Sequence, residues 1–390
     1  MRSTGNRQKI ISHFVGLNGI GGVQSNFVEY INNLDLRTSK YQHKIYTIKS
    51  IDPHYKLNNE VLNIRKISNL YRLILDIVSR DVIVHFYNNL SSLKVAFLLV
   101  LLPVRKLVIH ERGTIWNQKS TSWAIPRFVA WKASVILSNS FATKTMLAKK
   151  FFIPEKKIQV LHNGIDISKG YKCRHHREKE NITPFVVGFL GRLDTPKGVH
   201  VLIDAMQYLI NEKVELVVAG EGILENILRQ RASKSKNVRF IGRVKNPYSF
   251  MNEINLLVVP SIREPLGNVC LEAGLYKVPV LAANVDGLPE IIENEISGEL
   301  IEATDKVSVD TLEGSVPLPE FVVNPVNQQL RMPKQINSYL LSRRILELSL
   351  KPEKLERYAN KLHNKVINYF NINRYNTELQ EIYRKLFLMR

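Results

Sequence analysis

INLLVVPSIREPLGNVCLEAGLYKVPVLAAN, residues 254–284, decides how this chain folds. Residues 254–261 form a continuous apolar run, the pattern of a strand covered on both faces. Pro265 holds Glu264 extended, and Gly267 allows a tight turn. Asn268 then stands where a helix N-cap belongs, and the helix would run to Tyr276. Residues 278–284 are apolar again. Strand, helix and strand within about thirty residues make a βαβ unit, and such units build parallel sheets. Two carboxylates bracket the turn, Glu264 on the loop and Glu272 in the second helical turn. A carboxylate accepts two hydroxyl hydrogen bonds, as a vicinal diol offers them, so the pair suits a sugar. The plainer alternative is an exposed loop charge at Glu264 and a helix-surface ion pair at Glu272.

The pattern extends in both directions. FVVGFLG (185–191), VELVVAG (214–220) and VRFIG (238–242) read as further strands of the same domain. Upstream, KIISHFVGL (9–17), HKIYTIK (43–49), DVIVHFY (81–87), KLVIHE (106–111), ASVILSN (133–139) and KIQVLHN (157–163) repeat it, with helix-length segments between them. Strands separated by helices predict an α/β chain of two doubly wound domains, 1–175 and 184–365. The polar stretch 166–184 reads as the linker between them. Residues 303–334 carry four prolines and read as a loop-rich insertion. Helical periodicity returns from 335 to the end.

A chain of 390 residues has room for two such cores. No apolar run approaches the ~20 residues needed to span a bilayer. VAFLLVLLPV (95–104) comes nearest, and its length predicts a buried helix. The N-terminus lacks the apolar core of a signal peptide, and the cysteines are only two, Cys173 and Cys270. The expectation is a cytoplasmic protein in a reducing compartment. The net charge of +20 is uneven: residues 1–180 hold 29 Lys and Arg against 11 Asp and Glu, and the remainder 26 against 24. A basic first half suits an acidic partner, which would be a phosphorylated saccharide, an anionic membrane surface or nucleic acid; scattered lysines that only solubilise a surface are an equal reading. KVAFLLVLLPVRK and WAIPRFVAWKASV mix apolar and basic residues as membrane-surface helices do, although core packing is the plainer expectation for both.

GFLGRLDTPKGVHVLIDAM (188–206) adds phosphate chemistry. It reads as a strand, a turn carrying Arg192 and Lys197, and a helix. Helix N-termini and cations at the carboxyl end of a parallel sheet collect phosphates. With AGEG (219–222), FIGRV (240–244) and the glutamate segment, this stretch resembles the retaining glycosyltransferases of family four, which have the GT-B fold of two Rossmann-like domains facing across a cleft. GIGGVQSNFVEYI (19–31), VIHERGT (108–114), SNS (138–140) and LHNGID (161–166) extend the resemblance across most of 10–302.

That resemblance implies roles. Glu272 would hold the ribose of a nucleotide sugar and Glu264 the transferred sugar. Arg192, Lys197 and the amides of Leu266, Gly267 and Asn268 would hold the diphosphate. Main-chain groups near Arg243 and Val244 would read the base. Gly21 and Gly22 would face the donor phosphate, and His110 would lie beneath the reacting sugar. His85 reads as structural, and Glu111 with Arg112 as a local ion pair. No two aspartates stand two apart as in metal-dependent transferases, so no metal and no further cofactor is expected. The donor would be a nucleotide-diphosphate sugar, a UDP-sugar ahead of a GDP-sugar, and the acceptor a saccharide or a lipid-linked one. The product would belong to bacterial surface polysaccharide such as lipopolysaccharide or capsule, made at the cytoplasmic face of the inner membrane. The last helix, 366–390, would cross back to the first domain, as in that fold. Rival readings are a nucleotide-sugar epimerase of the same architecture and a non-catalytic basic nucleotide or nucleic-acid binder; no nucleic-acid motif supports the latter.

Overall fold

The apolar runs become two parallel sheets. A computed structural model describes residues 9–19, 21–34, 40–171, 184–309 and 312–389. Residues up to Asp166 and from Asn371 onward form one unit, and Ile167–Phe370 the other. The first unit thus ends nearer the start of the polar stretch than 175. Most of that stretch, with Cys173, lies outside the described residues.

The first sheet has strands β1 (Ile10–Phe14), β2 (Gln42–Thr47), β3 (Val61–Asn63), β4 (Val82–Tyr87), β5 (Leu107–Glu111), β6 (Val135–Ser138) and β7 (Ile158–Val160). Their order is β3-β2-β1-β4-β5-β6-β7, parallel throughout. Every residue of β4 and β5 is buried, as the continuous apolar runs require. The edge strand β3 escaped the sequence pattern because it is three residues long and set among polar neighbours.

Right-handed crossovers sort the helices by direction of travel. Gly22–Asn32 connects leftward, from β1 to β2. Ile67–Val78, Leu93–Leu101, Ala124–Lys132 and Phe141–Phe151 all connect rightward and cover the opposite face. The first face is completed by the chain's last helix, Ile372–Leu388. Its Ile372, Tyr375, Leu379, Ile382, Tyr383 and Leu386 share one core with Ile11, Phe27, Tyr30 and Ile83. On the other face Asp76 anchors Ile67–Val78. It accepts from Ser12 Oγ at 2.6 Å, Tyr46 Oη at 2.8 Å and Lys44 Nζ at 2.9 Å.

The run 95–104 departs from expectation. The helix Leu93–Leu101 buries Val95 and Leu99 and leaves Leu93, Phe97, Val100 and Leu101 exposed. Ala124–Lys132 buries Pro126, Val129 and Ala130, while Trp131 is exposed. A sheet face can cover only one side of a helix, and nothing described covers the other.

The second sheet has β8 (Phe185–Leu190), β9 (Val214–Ala219), β10 (Val238–Gly242), β11 (Leu256–Val259), β12 (Val280–Ala283) and β13 (Glu299–Ile301). The order β10-β9-β8-β11-β12-β13 repeats the first. Residues 303–334 are more ordered than a loop: Ala303–Asp305 pairs with Gln335–Ile336, and Val322–Val323 with Leu330–Arg331.

Four histidines line up inside the first unit. His13 Nε2 lies 2.9 Å from His43 Nδ1, and His85 Nδ1 lies 2.6 Å from Tyr383 Oη. His110 stacks on His85 with ring centroids 5.5 Å apart. Burial lowers the pKa of all four, that of His43 to about 4. A base whose folded pKa lies below its unfolded value costs stability as the pH falls from the unfolded value towards the folded one. The unfolding free energy should therefore drop between pH 6.5 and 4, with His43 alone contributing about 3 kcal/mol of the loss at the lower end. Urea titrations across that range check it: His43→Gln should flatten the slope, and an unchanged slope would refute the assignment.

Candidate functional site

In an open parallel sheet, ligands gather at the carboxyl ends of the strands where the order reverses. In the second unit that point is the β8/β11 pair. The loop after β8 carries Arg192 and Lys197; the loop after β11 carries Ser261, Arg263 and Glu264. The backbone stitches the two together. Pro196 O accepts from Ile262 N at 2.9 Å and from Arg263 N at 3.2 Å. Gly198 has φ +70, and a Cβ there would lie 2.0 Å from Pro260 O, so only glycine permits the approach.

The consequence is an ion pair. Lys197 Nζ lies 2.6 Å from Glu264 Oε2, which also accepts from Ser261 Oγ at 3.2 Å. Glu264 is 7% exposed, whereas the side chain of Arg192 is 57% exposed, with Nη1 3.3 Å from Asp194 Oδ2. A half-buried cation, a buried carboxylate and an exposed guanidinium paired with Asp194 thus share one sheet edge. Glu272 stands half-buried on the helix Asn268–Leu275. The cap of that helix differs from expectation. Gly267, at φ 101, is the N-cap, and Asn268 is the first helical residue. Leu266 and Gly267 are buried. The first amides of any helix have no carbonyl four residues back to bond.

The neighbouring loops close around this edge. Gly191 N donates to Ala219 O at 3.0 Å and Leu193 N to Glu221 O at 3.0 Å. A Cβ on Gly220, at φ +145, would meet Gly191 O at 1.8 Å. Arg243 is exposed and Val244 half-buried just beyond β10.

Two side chains that the sequence did not single out support the glutamate. Asp286, 2% exposed and at φ 47, follows β12. Its Oδ2 accepts from Glu264 N at 2.9 Å and its Oδ1 from Val323 N at 2.7 Å. The insertion is therefore tied to the loop that holds Glu264. Burial outweighs both donors and pushes the Asp286 carboxyl up to about 7. Arg263 has Glu264, Asp286, Arg192 and Asp194 as charged neighbours, and burial lowers its pKa. Adjacency to Glu264 could have flagged Arg263. Nothing in the sequence flags a pairing 22 residues downstream.

In the first unit, Gly21 is the N-cap of Gly22–Asn32, extended at φ −169, and its N–H reaches Tyr55 Oη at 3.3 Å. Ile20 lies outside the described residues. A cavity of about 280 Å³ opens at the carboxyl ends of β1, β2 and β4, lined by Gly16, Asn18, Gln24, Lys49, Asn88 and Asn89 among others. His110 is fully enclosed, stacked between His85 and Tyr375, and neither ring nitrogen has a hydrogen-bond partner among the described residues. Burial and the nearby Arg112 keep it neutral. Glu111 and Arg112 turn to other partners. Glu111 Oε1 accepts from Gly113 N, Ile115 N and Thr114 Oγ1 at 2.9–3.0 Å, while Arg112 Nη2 donates to Tyr375 Oη at 2.7 Å.

Residues 184–310 match the family model described as "Glycosyl transferases group 1", and residues 34–169 the one described as "Glycosyltransferase Family 4". Among curated proteins, the chain is 32% identical over 187 residues to the capsular polysaccharide biosynthesis glycosyltransferase CapM of Staphylococcus aureus, covering 44% of this chain and 49% of that one. It is 28% identical over 183 residues to the N-acetylgalactosamine-N,N'-diacetylbacillosaminyl-diphospho-undecaprenol 4-alpha-N-acetylgalactosaminyltransferase of Campylobacter jejuni, covering 46% and 49%. The chain thus spans about half the length of these relatives. Among solved structures, HepE of Anabaena in complex with UDP and glucose superposes with a TM-score of 0.72 at 20% identity, covering 97% of this chain and all of that one. The fold is that of the GT-B glycosyltransferases, and the chain belongs to the glycosyltransferases of group 1 and family 4.

Asn at 286 would keep one acceptor but turn a donor towards the second N–H. Asp286→Asn should cost ~1–3 kcal/mol, read as a lower urea midpoint. The raised carboxyl adds a sign. The Asp286 contribution is lost as pH rises from about 4 towards about 7, because the unfolded group ionises first; it opposes the histidine contribution of the first unit, and the variant's pH slope should differ from the parent's by that loss. A variant of equal midpoint and equal pH slope would show that Asp286 does not hold the loop.

Proposed function

We propose that this glycosyltransferase moves a hexose-type sugar from a nucleotide-diphosphate sugar, a UDP-sugar ahead of a GDP-sugar, to a saccharide or lipid-linked acceptor with retention at the anomeric carbon. The observation that carries the reading is the Lys197–Glu264 pair, with Arg192 beside it, at the β8/β11 edge. A pyrophosphate needs cations and amides, and a sugar needs a hydroxyl acceptor; one edge offers both. The UDP and glucose carried by HepE, the capsule assembly of CapM and the diphospho-undecaprenol in the name of the Campylobacter enzyme support a UDP-sugar donor, surface-polysaccharide synthesis at the cytoplasmic side of a membrane and a lipid-linked acceptor.

In this reading Arg192 and Lys197 neutralise the diphosphate. The helix start at Leu266, Gly267 and Asn268 adds amide dipoles. Glu264 exchanges Lys197 for sugar hydroxyls, and Glu272 takes the ribose. Main chain near Arg243 and Val244 reads the base. Gly21 and Gly22 start a helix whose N-terminal amides suit a phosphate. His110 adds a neutral ring enclosed within the first unit. The bond from C1 to the leaving phosphate oxygen breaks as positive charge grows on the ring and negative charge on the diphosphate. The acceptor oxygen bonds C1 from the same face, and its proton passes to the departing phosphate oxygen. Fixed cations aimed at that oxygen lower the barrier, and no metal is required in this scheme.

Two measurements test it. UDP or a UDP-sugar should raise the melting temperature, since a ligand bound to the folded state alone stabilises it; no shift with UDP, GDP or their sugar conjugates would remove the donor site. Arg192→Ala should lower kcat about 10²–10³-fold with little change in melting temperature. Undiminished turnover would remove the cation role.

A further inference from the structure

The helices Ile67–Val78, Leu93–Leu101 and Ala124–Lys132 lie on one face of the first sheet, and their outer sides are apolar. Ile67 is 84% exposed, Leu93 70%, Phe97 66% and Trp131 66%, with Tyr71 and Val100 also exposed. Scattered exposed apolar residues are ordinary, but this many on three helices of one sheet face mark an interaction surface. We infer that this face docks in the plane of an anionic lipid surface.

Charge selects that occupant. From Val61 to Lys150 there are 14 Lys and Arg against three carboxylates, Asp76, Asp81 and Glu111. Asp76, Glu111, Arg112 and Lys150 are buried, which leaves twelve cations against Asp81 among the exposed and half-buried residues of this stretch. Lys94, Arg127 and Lys132 sit on the same helices as the apolar residues. Lys132 Nζ lies 4.9 Å from the Trp131 ring centroid, and Arg127 lies 5.9 Å from that of Trp123. Indole beside a cation suits the headgroup layer, where the ring straddles apolar and wet zones and the cation meets phosphate. A second copy of the chain would bring these cations against themselves. A nucleic acid would match the charge and leave Leu93, Phe97 and Val100 in water.

The helices lie on the surface and do not cross. Leu93–Leu101 has nine residues, about 14 Å of helix against a hydrocarbon core of about 30 Å. Among the described residues no helix is long and apolar enough to span a membrane. Each helix begins at the carboxyl edge of the sheet, so Ile67, Leu93 and Trp123 stand at the edge where the 280 Å³ cavity opens. A lipid-held molecule would meet the protein there.

The test uses the full chain with no donor or acceptor, so its outcome is independent of the transferase reading. Vesicles of phosphatidylcholine alone are compared by co-sedimentation with vesicles holding about 30% phosphatidylglycerol. The parent should bind the anionic vesicles at least about tenfold more tightly, less so in high salt, with the tryptophan emission shifting to the blue. Phe97→Glu combined with Trp131→Glu should lose that binding while keeping the melting temperature. Lys94→Glu combined with Lys132→Glu, which leaves the apolar residues in place, should lose the preference for phosphatidylglycerol. Equal binding to both vesicles, a parent left in the supernatant, or an acidic variant that binds as well as the parent would each overturn the inference. So would a dimer by light scattering that Phe97→Glu dissociates while the vesicles remain bare.

Discussion

Two loops of the second unit come so close that a glycine carries one past the other's carbonyl, and the site follows from that approach. Gly198 runs against Pro260 O, and Pro196 O takes two amides from the far loop. Lys197 and Glu264 are thereby forced within 2.6 Å. A buried carboxylate without a partner would be costly, and a half-buried lysine also needs an anion. Here each satisfies the other. A ligand offering phosphate to one and hydroxyls to the other can replace both partners at once, so neither charge is left bare during the exchange. The geometry is set by backbone, so the side chains start close to where such a ligand would need them.

The support for Glu264 reaches further than its own loop. Asp286 takes the Glu264 N–H with one oxygen and the Val323 N–H with the other. A carboxylate at φ 47 is an unusual choice, since glycine adopts that conformation more cheaply. What aspartate adds is two acceptors in a place where backbone donors from separate segments would otherwise go unpaired. The insertion, with its two small sheets, is by this bond part of the framework beneath the glutamate.

How much of this was legible depended on the range of the interaction. The inner strands of both sheets announced themselves as apolar runs, because burial on two faces leaves no polar position. The edge strands Val61–Asn63 and Glu299–Ile301 did not, since each is three residues long and set among polar neighbours. Arg192, Lys197, Glu264 and Glu272 were visible through local turn chemistry and a family resemblance. The N-cap was misplaced by one residue, because Gly267 could serve as cap or as turn and only the observed φ decides. Asp286 was invisible, because its meaning lies in a pairing across two strands.

The exposed helices show a limit of another kind. An apolar run of ten residues says that something other than water must cover it, and a sequence reading supplies the commonest cover, a protein core. The two faces of the first sheet answer differently. One is sealed by the terminal helix, tightly enough that four histidines are held against protonation. The other holds its helices from beneath, through Asp76 and the apolar residues that face the sheet, and leaves their outer sides bare. Had the cover been protein, carboxylates would be expected among the lysines to match it. The near absence of exposed carboxylates from Val61 to Lys150 argues that the missing cover brings its own negative charge, and a lipid surface supplies that charge together with an apolar interior.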